Sequence, residues 1–259
     1  MTFDNRLLAF MHAMADTAGG IARRHWKSSV SVEMKADASP VTVADREIES
    51  ALRKLIEAEF PGHGIVGEEY GNIRPDAEYQ WVIDPIDGTR AFIANIPTFT
   101  TLIALAKDGV PIAGLIDQPV TGERWVGTQG KTSLNNEPVR AHGSVALKQA
   151  ALSTTSTNYF SAIEAAAFEA LKTQCARVMP GGDAYAYALL ASGRQDIAVD
   201  AAMKPYDFCA LRPVVEGAGG VITDWNGRAI TLSSDGRVLA AANAALHRQA
   251  LAILKAASV

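Results

Sequence analysis

The residues from position 81 to position 89 constrain the fold more than any other part of the chain. They read Trp-Val-Ile-Asp-Pro-Ile-Asp-Gly-Thr, an apolar run followed by two carboxylates and a turn. Pro85 disfavours the α region at Asp84, so we expect a buried strand at Trp81–Ile83 that ends and turns at Asp84. Gly88 gives the turn freedom, and a helix that opens after it would direct its first N–H groups towards both aspartates. The segment therefore predicts a place where carboxylates, a divalent metal and an anionic ligand meet.

Other acidic residues also stand at the predicted ends of separate elements. They are Asp45 in the first turns of a helix, Glu68 and Glu69 after Gly67, and Asp207 after Tyr206. Mg²⁺ is held by carboxylates together with water and substrate phosphate, so acidic residues dispersed along a chain can share one ion when the fold gathers them. Taken singly, Asp207 is as readily a helix N-cap and Glu69 an exposed charge.

Length and charge place the chain among ordinary globular proteins. Its 259 residues are 48% hydrophobic and 20% charged, with a net charge of −4, and they suffice for one large domain or two packed lobes. The longest basic cluster, Arg23-Arg24-His25, is short and is interpreted as a solvated helix end. We expect no nucleic-acid partner.

The ends of the chain and its cysteines give further expectations. The first residues lack a basic segment followed by an apolar run, and no stretch of about 18 apolar residues occurs. We therefore expect a cytoplasmic protein without a membrane partner. Cys175 and Cys209 are too few and too far apart for a disulfide framework or a zinc site, and both are interpreted as core residues.

Hydrophobic periodicity divides the chain into two parts. The first part has helical spacing over 4–25 and 42–60, then strand-like runs at 81–84, 100–106, 112–117 and 124–128, which predict an antiparallel meander. The second part alternates, with helices predicted at 159–172, 184–192, 208–217 and 244–257 and strands at 150–153, 197–200, 221–224 and 238–241. We place a soft boundary near residues 143–150, which gives an N-terminal α+β lobe at 1–145 with most of the metal ligands and a C-terminal α/β lobe at 146–259.

The order of these motifs resembles the inositol monophosphatase superfamily across most of the chain. The resemblance rests on Gly67-Glu68-Glu69, the Asp-Pro-Ile-Asp-Gly-Thr run at 84–89, Tyr206-Asp207, and the Glu-Gly-Ala-Gly-Gly run at 216–220. Stretches at 92–105, 116–127, 181–187 and 204–207 are more similar to the histidinol-phosphatase branch than to the inositol branch. The resemblance implies an α+β fold, a layered αβαβα sandwich of the inositol monophosphatase and fructose-1,6-bisphosphatase type. It also implies a homodimer that hydrolyses small phosphate monoesters with Mg²⁺.

The same resemblance implies a set of metal ligands. One Mg²⁺ ion is expected between Glu68, Asp84 and the backbone carbonyl of Ile86. A second is expected among Asp84, Asp87 and Asp207, so that Asp84 bridges the two. A third, weaker ion is expected near Glu68 through water, which gives two or three ions per active site.

The resemblance further implies that Thr89 and Asp45 position and deprotonate the attacking water, while the N–H groups of Gly88 and Thr89 hold the phosphate. A threonine hydroxyl is a weak base, but one hydrogen-bonded to Asp45 can orient a metal-activated water. The alternatives are a helix N-cap for Thr89 and a capping charge for Asp45.

Two departures from the family pattern concern the substrate. Asp200 stands where much of the family has Glu, and Tyr206 stands where the inositol branch commonly has Trp. Histidinol phosphate carries an ammonium and an imidazole, so Asp183 and Asp200 are candidate substrate contacts, although either could instead cap a helix or strand. We expect a Mg²⁺-dependent histidinol-phosphate phosphatase. The alternatives are an inositol-1-phosphate or broad sugar-phosphate phosphatase and, from another class, a non-catalytic regulatory dimer.

Overall fold

The α-helices form the outer and middle layers of the molecule. The computed structural model describes residues 4–27, 32–34, 40–142 and 146–257. Within these ranges the α-helices, numbered α1 to α8 in chain order, are Asn5–His25, Val43–Glu59, Thr89–Ile93, Ala162–Lys172, Asp183–Ala191, Pro205–Phe208, Leu211–Gly217 and Ala244–Ala257.

The β-strands of the described residues form two main sheets and a small two-stranded pair. Numbered β1 to β15, they are Val32–Met34, Pro40–Thr42, Gly64–Gly67, Asn72–Ile73, Tyr79–Asp87, Thr100–Lys107, Val110–Gln118, Glu123–Thr128, Lys131–Leu134, Glu137–Pro138, Ala151–Thr154, Arg177–Pro180, Ile197–Asp200, Val221–Thr223 and Val238–Ala241. The eight-stranded sheet has the order β10-β9-β8-β7-β6-β5-β3-β4, and the five-stranded sheet has the order β12-β11-β13-β15-β14.

Helices and sheets alternate in the predicted αβαβα order. Helices α1 and α2 pack on one face of the eight-stranded sheet, where Met14, Ile48 and Trp81 belong to one buried core. Its other face packs on α5 and α7, which share a core with the inner face of the five-stranded sheet. Helices α4 and α8 cover the outer face of that smaller sheet. Each sheet is thus buried on both faces, and the predicted layered fold is confirmed.

The first two helices form where periodicity predicts them. Asp4 caps α1 by accepting a hydrogen bond from the N–H of Arg6, and the buried face of α1 includes Met11 and Met14. Thr42 is the N-cap of α2 and shares a capping box with Asp45. The capping box fixes the position of Asp45 in the first turn of α2.

Strand β5 does not end at Asp84, and that expectation is wrong. It continues to Asp87, and its register with β6 shifts between Asp84 and Asp87. The irregularity accommodates Pro85, which has no N–H to donate to the ladder. The hydroxyl of Thr101 on β6 donates a 2.8 Å hydrogen bond to the carbonyl of Pro85. This bond secures the distorted end of the strand.

The rest of the large sheet combines expected and unexpected pairings. Strands β5 to β8 form the predicted antiparallel meander, and β9 and β10, which were not predicted, extend it. Strand β3 pairs with β5 in parallel, a neighbour that periodicity did not reveal. In the second half, the helix predicted at 208–217 is divided into α6 and α7, and α4 begins at Ala162 after a 3₁₀ turn at Thr157–Tyr159.

Helix α7 lies directly on the backbone of the large sheet. Gly114 on β7 faces the backbone of Ala210, and Gly127 on β8 faces the backbone of Pro213, where a Cβ atom would collide. Such close approach requires residues without side chains. Because α6 immediately precedes this contact, it is held against β5 and β3.

The two sheets come from separate halves of the sequence. The strands of the large sheet all precede residue 139 and those of the small sheet all follow residue 150. A division into lobes at 1–145 and 146–259 stays a prediction, and residues 143–145 of the expected boundary lie outside the described residues. Among the described helices, none combines the length and apolar character that crossing a membrane requires.

Candidate metal centre

Three aspartates from distant parts of the chain converge at the end of β5. Asp84, Asp87 and Asp207 each offer a carboxylate oxygen, and these oxygens lie within 4.8 Å of one another. Asp84 and Asp87 flank the irregular end of β5, while Asp207 belongs to the short helix α6. The distorted strand and the seating of α6 on β5 therefore bring together the three side chains.

The hydrogen bonds around these aspartates orient their carboxylates. Asp87 Oδ2 accepts a 2.8 Å hydrogen bond from the N–H of Ala184, and Asp207 Oδ2 accepts one of 2.6 Å from the N–H of Lys204. Asp84 is 2% exposed, and its buried Oδ1 has no hydrogen-bond partner in the protein. A buried carboxylate oxygen without a partner is costly, and it marks a position for a ligand.

The electrostatics of the cluster favour a bound cation. Burial, followed by the charge of Glu68, raises the pKa of Asp84, and burial followed by the charge of Asp183 raises the pKa of Asp87. Burial likewise raises the pKa of Asp207 to about 7. Carboxylates so close together resist ionisation unless positive charge is supplied. The oxygen-only ligand set suits a hard divalent ion such as Mg²⁺.

Two further predicted ligands adjoin the cluster. Glu68 follows β3, the parallel neighbour of β5, and its charge raises the pKa of Asp84 and of Asp45. It lies outside the group of three converging carboxylates. The carbonyl of Ile86 accepts a 3.1 Å hydrogen bond from the hydroxyl of Thr89. Metal ligation by Glu68 and Ile86 stays a prediction.

Asp45 presents one free carboxylate oxygen in the interior. Its Oδ2 accepts hydrogen bonds from the N–H and the hydroxyl of Thr42, at 2.8 and 2.6 Å. Its buried Oδ1 has no hydrogen-bond partner in the protein. Burial raises the pKa of Asp45 to about 6, which the hydrogen bonds from Thr42 oppose and the charges of Glu69 and Glu68 reinforce. Asp45 therefore combines a capping role with an oxygen available to a ligand.

The expected hydrogen bond between Thr89 and Asp45 is not formed. The single hydroxyl proton of Thr89 goes to the carbonyl of Ile86, three residues earlier in the turn. Asp45 takes its hydrogen bonds from Thr42 instead. The local turn takes the hydroxyl proton of Thr89 and the capping box engages only Oδ2 of Asp45, so the separate roles of Thr89 and Asp45 stay predictions.

Gly88 and Asp183 lie side by side next to the aspartate cluster. Gly88 has φ of +79°, and a Cβ atom there would lie 2.8 Å from Asp183 Oδ2. Asp183 is the first residue of α5, and burial raises its pKa while Arg90 opposes the shift. The carboxylate of Asp183 therefore borders the turn that is predicted to hold phosphate.

Asp200 has protein partners on both carboxylate oxygens. Its Oδ1 accepts hydrogen bonds from the hydroxyl of Thr154 at 3.1 Å and from the N–H of Thr155 at 2.7 Å. Its Oδ2 accepts one from the hydroxyl of Tyr187 at 2.9 Å. Asp200 is 4% exposed, and burial raises its pKa to about 6. A substrate contact by Asp200 stays a prediction, and its geometry favours the alternative of a structural carboxylate.

Two charged residues of α2 escaped the sequence-based prediction. Glu49 is fully buried and its carboxylate accepts hydrogen bonds from the N–H groups of Glu69 and Tyr70, while Arg53 pairs with it. The available signal was the four-residue spacing from Asp45 to Glu49 and from Glu49 to Arg53, which places all three on one helix face.

Comparison with known proteins identifies relatives along almost the whole chain. A protein-family model described as the inositol monophosphatase family matches residues 4–258. The bifunctional phosphatase IMPL2, chloroplastic, of Arabidopsis thaliana is 42% identical over 261 residues, covering 97% of this chain and 75% of that protein. The histidinol-phosphatase of Mycobacterium tuberculosis is 34% identical over 265 residues, covering 99% and 100%.

Solved structures give the same result. The structure of an inositol monophosphatase from Zymomonas mobilis superimposes with a TM-score of 0.88 at 44% sequence identity. The match covers 95% of this chain and 96% of that one.

Proposed function

This chain belongs to the inositol monophosphatase family and is a phosphatase, and we propose that its substrate is histidinol phosphate, hydrolysed to histidinol and phosphate with Mg²⁺. The observation that carries the proposal is the convergence of Asp84, Asp87 and Asp207 around a buried carboxylate oxygen without a protein partner. Similarity to histidinol-phosphatases and an acidic side chain at the rim of the site support the substrate.

We propose two or three Mg²⁺ ions per active site. We assign Glu68, Asp84 and the carbonyl of Ile86 to one ion, and Asp84, Asp87 and Asp207 to a second. The partnerless Oδ1 of Asp84 supports its assignment to both. Bound divalent ions lower the pKa of a coordinated water and offset charge on the transferring phosphoryl group.

The remaining chemistry belongs to side chains of this protein. Asp45 has a free Oδ1 and a pKa of about 6, so at neutral pH it can accept a proton from the attacking water. Thr89 donates its hydroxyl proton to Ile86, which leaves its oxygen lone pairs to accept a hydrogen bond from the same water. Gly88 is the N-cap of α3 and Thr89 its first residue, positions whose N–H groups have no partner within the helix, and we assign both N–H groups to phosphate oxygens.

Asp183 is the residue that we assign to the cationic part of the substrate. Its carboxylate lies beside Gly88, so a phosphate held there would bring its alcohol portion close to Asp183. A carboxylate forms strong hydrogen bonds with an ammonium or imidazolium group. Asp200 already uses both of its oxygens within the protein, so we assign it to the support of Tyr187.

The second candidate is an inositol-1-phosphate phosphatase or a broad sugar-phosphate phosphatase. It is favoured by the similarity to the inositol monophosphatase from Zymomonas mobilis. Both candidates use the same metal residues and differ only in the alcohol that leaves. A non-catalytic regulatory dimer is not compatible with a chain that is a phosphatase. A homodimeric, cytoplasmic enzyme stays part of the proposal.

The decisive experiment compares kcat/KM for histidinol phosphate, inositol 1-phosphate and a sugar phosphate, with Mg²⁺ and with a chelator. We expect no turnover with chelator and a preference for histidinol phosphate of at least about tenfold, or about 1.4 kcal/mol in transition-state binding. A preference of that size for inositol 1-phosphate would establish the second candidate instead.

A further inference from the structure

The carboxylate of Glu49 is inserted under the loop that carries Glu68. It is fully buried on α2, and its Oε2 accepts a 2.7 Å hydrogen bond from the N–H of Glu69. Its Oε1 accepts a 3.1 Å hydrogen bond from the N–H of Tyr70. Both donors are backbone groups immediately after Glu68, so Glu49 fixes the backbone and not a mobile side chain.

Arg53 completes the attachment one helical turn later. Its Nε and Nη2 lie 2.8 and 2.7 Å from Glu49 Oε1. Its guanidinium also donates to the carbonyl of Gly71 and lies 5.9 Å from the ring centre of Tyr70. The ion pair therefore binds the loop at both its N–H and its carbonyl groups. Hydrogen bonds to charged partners are stronger than neutral ones, which suits a rigid attachment.

The start of the loop lies so close to this pair that any side chain there would displace it. A Cβ atom at Gly67 would collide with Glu49 Oε1 and with Arg53 Nη2. Asp45 stands one turn before Glu49 on the same helix. The spacing between the carboxylates of Asp45 and Glu68 is therefore set by one rigid helix face and the backbone bonds attached to it.

We propose that Glu49 and Arg53 are positioning residues that hold Glu68 in place for metal binding, without contacting the metal or the substrate themselves. The inference rests on the proposed function, because that proposal makes Glu68 a ligand. Loss of the Glu49–Arg53 pair would leave Glu68 present but displaced. Changes to residues that orient metal ligands typically weaken metal binding by about 10-fold to 100-fold.

The test is calorimetric titration of the substrate-free protein with Mg²⁺. Glu49→Gln keeps the size of the side chain but removes its charge and one acceptor. We expect it to weaken Mg²⁺ binding by at least about tenfold and to raise the Mg²⁺ concentration for half-maximal activity by a similar factor. At saturating Mg²⁺, we expect kcat to recover to within a few-fold of wild type. A general loss of folded protein would not produce this recovery.

Two further variants separate positioning from stability. Ile56→Val, also fully buried on α2, is the matched control, and it should leave Mg²⁺ binding unchanged. The double variant Glu49→Leu/Arg53→Leu removes both buried charges together, which spares the fold an unpaired ion. It should weaken Mg²⁺ binding at least as much as Glu49→Gln.

The variant Glu68→Gln separates the positioning role of Glu49 and Arg53 from the assignment of Glu68 as a metal ligand. If Glu68→Gln weakens Mg²⁺ binding while Glu49→Gln and the double variant behave like Ile56→Val, the positioning role is overturned and the metal assignment stands. If Glu68→Gln also leaves Mg²⁺ binding unchanged, the ligand assignment on which both rest is overturned.

Discussion

The hydroxyl of Tyr187 donates a 2.9 Å hydrogen bond to Asp200 Oδ2 in the core between the two sheets. Both residues are buried, and the other oxygen of Asp200 is held by Thr154 and Thr155. The carboxylate thereby joins α5 to the ends of β11 and β13. This relationship makes the pair a structural element with a measurable contribution to stability.

Tyr187→Phe should therefore destabilise the protein. It leaves a buried carboxylate oxygen without its donor, which typically costs about 1–3 kcal/mol. Urea unfolding would measure the change, with Tyr159→Phe as the control because Tyr159 is 43% exposed. A Tyr187→Phe protein as stable as the control variant would show that the bond contributes nothing.

Asp84→Asn should abolish most activity while leaving the fold intact. The substitution keeps the shape of the side chain and removes the negative charge of the carboxylate that we assign as a ligand of both ions. A catalytic metal is worth several kcal/mol, so we expect a loss in kcat/KM of roughly 10³-fold. Calorimetry should show weaker Mg²⁺ binding, and circular dichroism should match wild type. Activity within a few-fold of wild type would refute the bridging assignment.

Metal-free protein should lose stability as the pH rises. Burial raises the pKa of Asp207 to about 7, and those of Asp45 and Asp200 to about 6, from about 3.9 in an unfolded chain. Between the unfolded pKa of about 3.9 and the raised pKa of each folded group, the folded protein binds more protons than the unfolded one. Stability therefore falls as the pH increases, by up to about 1.4 kcal/mol per pH unit for each group.

Thermal unfolding in chelator at about pH 5.5 and about pH 8 would measure this trend. Bound Mg²⁺ should reduce the dependence of stability on pH, because it favours the ionised form of the aspartate cluster. The pH dependence that comes from Asp200 should remain. Greater stability at the higher pH in chelator would contradict the raised pKa values.

Asp45→Asn should remove a proton acceptor without removing the helix cap. Asn can still accept hydrogen bonds from Thr42, but it cannot take a proton from water. We expect kcat to fall about 10²-fold to 10⁴-fold, the usual range for general bases. In wild type, burial places the pKa of Asp45 at about 6 and a nearby cation lowers it, so activity should decline at or below that pH. A pH profile that the variant shares with wild type would exclude Asp45 as the base.

Asp183→Asn should discriminate between substrates. If Asp183 contacts an ammonium or imidazolium group, its loss should raise KM for histidinol phosphate by about tenfold, because hydrogen bonds to charged groups contribute about 1.5–3 kcal/mol. The KM for inositol 1-phosphate, which has no cation, should change little. Equal effects on both substrates would point to a role in the fold of α5.

The parts of the fold that periodicity predicted are those with long, regular patterns. Helix α1 has its buried methionines at helical spacing, and strands β6 and β7 have continuous apolar runs. The convergence of Asp84 and Asp87 was predictable because both come directly after one apolar run. Asp207 stands out as an acidic residue at the predicted end of an element, but its grouping with Asp84 and Asp87 came from the resemblance to a family, since nothing local shows that α6 packs on β5.

The parts that were missed depend on contacts between distant segments. The bulge that lets β5 continue past Pro85 needs the hydroxyl of Thr101 on the neighbouring strand. Strands β3 and β4 are too short for a periodic signal. The role of Glu49 is visible only once the loop after Gly67 folds back onto α2. Local sequence patterns determine the helices, whereas these features arise from contacts in the tertiary fold.

The contact of α7 with bare glycine backbone has a consequence for when the protein acquires its metal. Asp84 and Asp87 belong to the large sheet, and Asp207 follows more than a hundred residues later in the chain. The three carboxylates meet only where the segment with Asp207 packs on that sheet, next to the contact of α7 with Gly114 and Gly127. A nascent chain that ends before Asp207 has at most a partial site. Cation binding therefore stabilises the assembled state of the two halves of the chain relative to the separated state.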